Sequence, residues 1–138
     1  MLSLIPFAVA GCSGHRTPAQ LSLAADPMLV EVGAELFHTH CASCHGVVAR
    51  GGGPVAPALI TPPSDLSRIA ARNGGVFPES SVVQLIDGRF EQPAHGSREM
   101  PVWGARLAEE IPYFATGDEV ARGRIASLVE YLKSLQEP

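Results

Sequence analysis

The amino-acid sequence predicts an all-α domain. Three observations carry this. No stretch alternates apolar and polar residues in the manner of a half-buried strand. Helix-opening signals recur at Asp26-Pro27, Ser64-Asp65, Pro78 and Thr116-Gly117-Asp118-Glu119. The chain also holds 14 glycines and 12 prolines among 138 residues, which favours turns and short helices over long regular elements.

The first helix is predicted to open at Asp26-Pro27, a cap residue followed by Pro at the first helical position. Val32, Leu36, Phe37 and His40 recur at a loose three-to-four spacing and give it one apolar face. Gly33 inside such a helix costs about 1 kcal/mol relative to Ala. Close approach of another helix would offset that cost, and the last helix is the expected partner. Thr116 and Glu119 form a capping box at its start. Val120, Ile125, Leu128, Val129, Leu132 and Leu135 then make one apolar stripe. Two shorter helices are predicted between them. One covers roughly 64–72, opened by Ser64-Asp65 and stopped at Asn73-Gly74. The other covers roughly 79–87, opened near Pro78 and stopped at Gly88. A short helical turn follows Pro101.

Composition bounds the function classes. At 46% hydrophobic and 17% charged, the chain suits one compact domain and not a disordered tail. Its formal charge of −4 argues against a nucleic-acid binder, which would show a basic face. No run of about 18 apolar residues spans a membrane. A phosphate-binding loop, a dinucleotide fingerprint and a nucleophile elbow are all missing.

The strongest motif is Cys41-Ala42-Ser43-Cys44-His45. A C-x-x-C-H run reads as c-type haem attachment. Residues i and i+3 of a helical turn share a face, so both thiols can form thioethers along one porphyrin edge. His45 then falls under the iron as proximal ligand. The porphyrin would supply much of the apolar core, which accounts for an aromatic content of only 6%. The competing readings are weaker. A thioredoxin-like dithiol would sit near a βαβ pattern, and none is visible. A zinc site could recruit His40 with Cys41, Cys44 and His45, but zinc ligands usually come as two separated pairs. A disulfide between Cys41 and Cys44 would close a very small ring.

Cys12 ends Val9-Ala10-Gly11-Cys12 after an apolar start, Met1 to Ala10. Small residues just before a Cys resemble a bacterial lipobox, which implies that Cys12 becomes the lipidated first residue of the mature protein. Ala8-Val9-Ala10 also fits an ordinary secretory cleavage site, which would leave Cys12 as a plain thiol. A chain with no processing is the third reading. Export agrees with the haem motif, because bacteria attach haem covalently outside the cytoplasm. The expected organisation is an export signal over 1–11, a linker over 12–30 and a haem domain over 31–138. Packed on the domain instead, the linker would be an N-terminal strap.

A haem with His on one side needs a group on the other. Met1 lies in the export segment, and Met28 precedes the attachment helix, poorly placed to reach the distal face. Met100 lies 55 residues after His45, far enough for an intervening shell to fold round the ring. Pro101 restricts it to an extended conformation and stiffens the loop. Met100 is therefore the expected distal ligand. His95 and an open distal position remain as alternatives. The haem propionates need donors or cations, and Arg89, Arg98 and Trp103 are candidates. His38 and His40 read as surface or packing residues.

Taken together, these features make the chain resemble the class I cytochromes c over roughly residues 28–137. The resemblance rests on Gly33 and Phe37, Cys41 to Gly46, Gly51-Gly52-Gly53-Pro54, Pro57-Ala58-Leu59, Arg98 to Gly104 and Tyr131-Leu132-Lys133. It implies a cytochrome c fold, with terminal helices packed crosswise around one covalently attached haem c. It also implies Met100 as distal ligand, a Pro57 carbonyl that accepts from the His45 ring, and Leu59 packed on the haem. The chain departs from the family in a Gly/Pro-rich insert at 50–63 and in the 105–117 stretch. Both are candidate docking faces for a partner subunit.

Charge is unevenly spread. Residues 46–106 hold six arginines against five acids, while residues 107–138 hold three basic against six acidic groups. Lys133 is the lone lysine. Steering by a strong positive field is not expected, and docking should be short-range and largely apolar at the haem edge. The expected function is that of a single-electron carrier, not an enzyme. Lipid at Cys12 would hold it at the periplasmic side of the bacterial cytoplasmic membrane; a soluble periplasmic protein is the alternative. Its partners would be membrane-bound or periplasmic redox proteins, including the other subunits of a respiratory or photosynthetic complex. The competing function is a haem enzyme or gas sensor with an exchangeable distal site.

Overall fold

A computed structural model describes residues 26–89, 100–109 and 115–137. Among these residues the backbone forms six α-helices, two 3-10 turns and no strand. The all-α expectation holds.

Helix α1 spans Pro27–His40, and the Asp26 carboxylate caps it by accepting from the Met28 N–H at 2.9 Å. Helix α6 spans Gly117–Ser134 behind the expected Thr116–Glu119 capping box. The two meet at Gly33. A Cβ there would lie 2.0 Å from the Ser127 carbonyl oxygen and 2.8 Å from the Tyr131 Cβ. One turn on, Phe37 is buried against Tyr131, with ring centroids 5.4 Å apart. Ile125, Leu128, Val129 and Leu132 of α6 are buried as expected, while Val120 and Leu135 are half-buried. Val32 departs from expectation and is 41% exposed. The contact line runs through Gly33 and Phe37, which turns Val32 to the outside.

The attachment helix is broken. α1 stops at His40, Cys41 bridges, and α2 (Ala42–His45) begins one residue on. The following chain is stitched back onto α2. Gly51, Gly53 and Val55 donate their N–H groups to the carbonyls of His45, Cys44 and Ser43 at 2.8, 3.0 and 2.9 Å. A Cβ on Gly53 would sit 2.3 Å from the Ser43 oxygen, so a bare backbone is required there. A 3-10 turn, Ala56–Ala58, ends this stretch.

The helix expected over 64–72 divides into a 3-10 turn, Leu66–Arg68, and α3, Ile69–Arg72. Asp65 caps the turn, accepting from the Ser67 N–H at 2.9 Å and the Ser67 hydroxyl at 2.6 Å. The end of α6 locks onto this corner. The Gln136 side chain accepts from the Ala70 N–H and donates to the Leu66 carbonyl, at 2.8 and 2.9 Å. Arg50 also pairs with Glu137.

Helix α4 spans Glu79–Asp87 and stops at Gly88 in the left-handed conformation, as expected. Helix α5, Trp103–Arg106, is the short turn expected after Pro101. An ion-pair group joins these elements to α6. Arg89 donates Nε and Nη2 to the Asp87 carboxylate at 2.7 and 2.9 Å, and Nη1 to Asp118. Arg89, one of three candidates for the haem propionates, is thus paired with two aspartates. Gly104 lies directly over the pair, where a Cβ would be 2.4 Å from Asp87 Oδ1.

Arg89 holds the Asp87 carboxyl below the usual carboxylate range. A carboxyl depressed in the folded state stabilises the fold above its unfolded value, near pH 4, and loses that contribution as pH falls through the lower folded value. Asp87→Asn should therefore lower the urea midpoint at neutral pH and flatten its decline below about pH 4. Chemical denaturation of both proteins across that range checks this.

Candidate cofactor site

A cavity of about 580 Å³ opens between these elements, within the roughly 300–1,000 Å³ usual for cofactor sites. The α1–α2 junction contributes His40, Cys41, Cys44 and His45. The chain from Leu59 to Ser64 forms a second wall, and Leu85 of α4 a third. Met100, Pro101 and Trp103 complete the lining. Six of the residues proposed from sequence are thus brought together: Cys41, Cys44, His45, Leu59, Met100 and Trp103.

Both thiols are free and half-buried. Burial pushes the Cys41 thiol up to about 12, and the neighbouring Cys44 adds to the shift. Among the described residues no group of three or more His, Cys, Asp or Glu side chains is arranged to hold a metal ion.

The His45 ring is fixed from behind. Its Nδ1 lies 3.0 Å from the Ser64 carbonyl oxygen. A carbonyl can only accept, so Nδ1 carries the proton and Nε2 keeps the lone pair that a metal requires. This is the orienting device expected from the resemblance, with a different acceptor. Pro57 does not supply it. Pro57 sits in the 3-10 turn, exposed, and does not line the cavity. The insert carries the chain past it and brings a carbonyl under the imidazole only at Ser64.

Leu59 lines the cavity. Ile60 to Ser64 and Leu85 were not foreseen as site residues. The Pro62-Pro63 pair was the available signal, because it makes a stiff extended segment. Part of the supposed docking insert is therefore a wall of the site. His40 also lines the cavity, its ring centroid 5.4 Å from that of Trp103. His38 is exposed at the surface, as read. Met28 is 71% exposed and away from the cavity. Cys12, His95 and Arg98 lie outside the described residues, as do the export signal and most of the linker.

The donor set suits the group that the motif implies. Two thiols and an imidazole with a free Nε2 share one cavity with a thioether, between walls of Leu59, Ile60, Leu85 and Trp103. An all-α domain with a C-x-x-C-H run on such a cavity defines a c-type haem protein. Residues 30–136 match the family model described as cytochrome c, and the chain belongs to the cytochrome c family. Its cofactor is covalently bound haem c with iron.

Two kinds of relative are similar to it. The chain is 29% identical over 87 residues to the cytochrome bc1 complex cytochrome c subunit of Corynebacterium efficiens, covering 51% of this chain and 29% of that protein. It is 34% identical over 94 residues to cytochrome c6 of Thermosynechococcus vestitus, covering 68% of this chain and 66% of that protein. It therefore spans less than a third of the bc1-complex relative and about two thirds of the cytochrome c6. No solved structure matches the chain at comparable significance. Among the described residues no helix is long and apolar enough to cross a membrane.

Proposed function

We propose that the chain is a single-electron carrier whose haem is held by thioethers to Cys41 and Cys44 and ligated by His45 and Met100. The observation that carries this reading is the shared cavity. His45, oriented with Nε2 free, and Met100 line the same space as both thiols. When bound, the haem supplies one-electron exchange between ferrous and ferric iron. The chain's own contribution is to hold, orient and dry the site. Ser64 fixes the imidazole tautomer. Pro101 limits the freedom of Met100. Leu59, Leu85 and Trp103 offer the haem an apolar wall, which tunes the potential. Trp103 and Arg98 are the remaining candidates for the haem carboxylates.

We further assign Cys12 as a lipid attachment site that tethers the domain, through the 12–30 linker, to the outer face of the bacterial cytoplasmic membrane. Its natural setting is a respiratory or photosynthetic electron-transfer complex. The relatives named as cytochrome c subunits of a bc1 complex support that setting.

Intact mass, measured before and after acid–acetone extraction, tests the reading. The expected protein keeps its colour through extraction, begins at Cys12, and carries one haem plus acyl chains. Loss of colour on extraction would sink the thioethers. A mature chain that begins at Gly11 without acyl groups would remove the tether and leave the carrier.

A further inference from the structure

We infer that His40 is a positioning residue for the distal ligand, acting through Trp103. The inference rests on the reading of Met100 as that ligand and extends it to a residue that neither the haem motif nor the ligand set includes.

Three observations bear on it. First, His40 is the last residue of α1, the helix locked to α6 at Gly33. It therefore sits on a helix packed closely against α6. Second, Trp103 opens α5, three residues after Met100, so the indole is the first large anchor beyond the ligand on that side. Third, the two rings face one another at the cavity wall, centroids 5.4 Å apart and tilted by 53°. That is favourable aromatic packing.

The Trp103 indole also carries the Arg106 guanidinium, 5.7 Å from its ring centroid. Arg106 is exposed and belongs to the same short helix as Trp103, so it cannot tie that helix to α1. His40 can. The rest of α5 is fastened elsewhere: Leu107 is buried, and its carbonyl accepts from Arg124 Nη1 at 2.9 Å. With that end of the segment pinned on α6 and Gly104 packed over Asp87 and Arg89, the His40–Trp103 contact ties the Met100 end to the haem-attachment corner.

The contact thus biases the equilibrium between Met100 bound to iron and Met100 displaced. An aromatic pair of this kind is worth about a 2- to 10-fold change in such an equilibrium.

The test uses the ferric holoprotein, with free imidazole as competing ligand and the absorption spectrum as readout. His40→Ala is expected to bind imidazole about 2- to 10-fold more tightly than the parent, with unchanged haem content and helical circular dichroism. His40→Phe keeps a ring against Trp103 and should return the affinity to the parental value. In the His40→Ala, Trp103→Ala double variant the two effects should not add. Parental affinity in His40→Ala, or failure of His40→Phe to restore it, overturns the inference. Met100→Ala separates the two levels. If it raises imidazole affinity while His40→Ala does not, the positioning role fails alone. If it changes nothing, the ligand reading fails and the positioning role goes with it.

Discussion

Met100→Ala should turn an iron centre indifferent to carbon monoxide into one that binds it readily in the reduced state. The midpoint potential should fall as well, by more than about 0.1 V of the roughly 0.8 V range that axial ligands span. Both effects follow from the loss of one donor atom, the thioether sulfur. A thioether favours ferrous iron, and Ala offers nothing in its place. Met100 lines the cavity with His45, and Pro101 after it limits its backbone. Titration with carbon monoxide and redox potentiometry on parent and variant decide the matter. If the parent itself takes up carbon monoxide readily, the distal position is exchangeable. The function then moves to a haem enzyme or gas sensor.

Gly33→Ala should destabilise the holoprotein by about 3 kcal/mol or more, at the upper end of overpacking effects. Two effects compete. Alanine improves helix propensity by about 1 kcal/mol. Its Cβ, however, would lie 2.0 Å from a carbonyl oxygen of α6. That atom is backbone and cannot swing aside, so the helices must part, and the buried contact of Phe37 with Tyr131 loosens with them. The clash outweighs the propensity. Urea denaturation of both proteins gives the answer, and a parental midpoint would mean that α1 and α6 do not meet at this residue.

The parts of the fold set by local chemistry were legible. Asp26, Thr116 with Glu119, and Gly88 act within a few residues of themselves, so caps and stops could be read directly. Gly33 was legible for a different reason: a costly residue in a good helix advertises a close neighbour. What failed were statements about partners distant in sequence. Nothing local says that Arg89 will be claimed by Asp118, or that the His45 ring will find Ser64 and not Pro57. The break at Cys41 was hidden because its neighbours on both sides are helical. Val32 was misread because spacing gives an apolar face but not which edge of it the partner covers. In the site, Cys41, Cys44 and His45 form a local motif and were plain. His40 reads as a surface or packing residue, and the ring it packs on, Trp103, appears only once α5 is folded back.

The Ser64 carbonyl stands at the end of two successive prolines, each with a backbone torsion locked by its ring. Such a strut bends little, and the imidazole leaning on it keeps a single attitude as charge arrives and departs. A centre that does not readjust adds little inertia of its own. Turnover should then be governed by how near the donor and acceptor can come, and chilling the sample should slow it only gently.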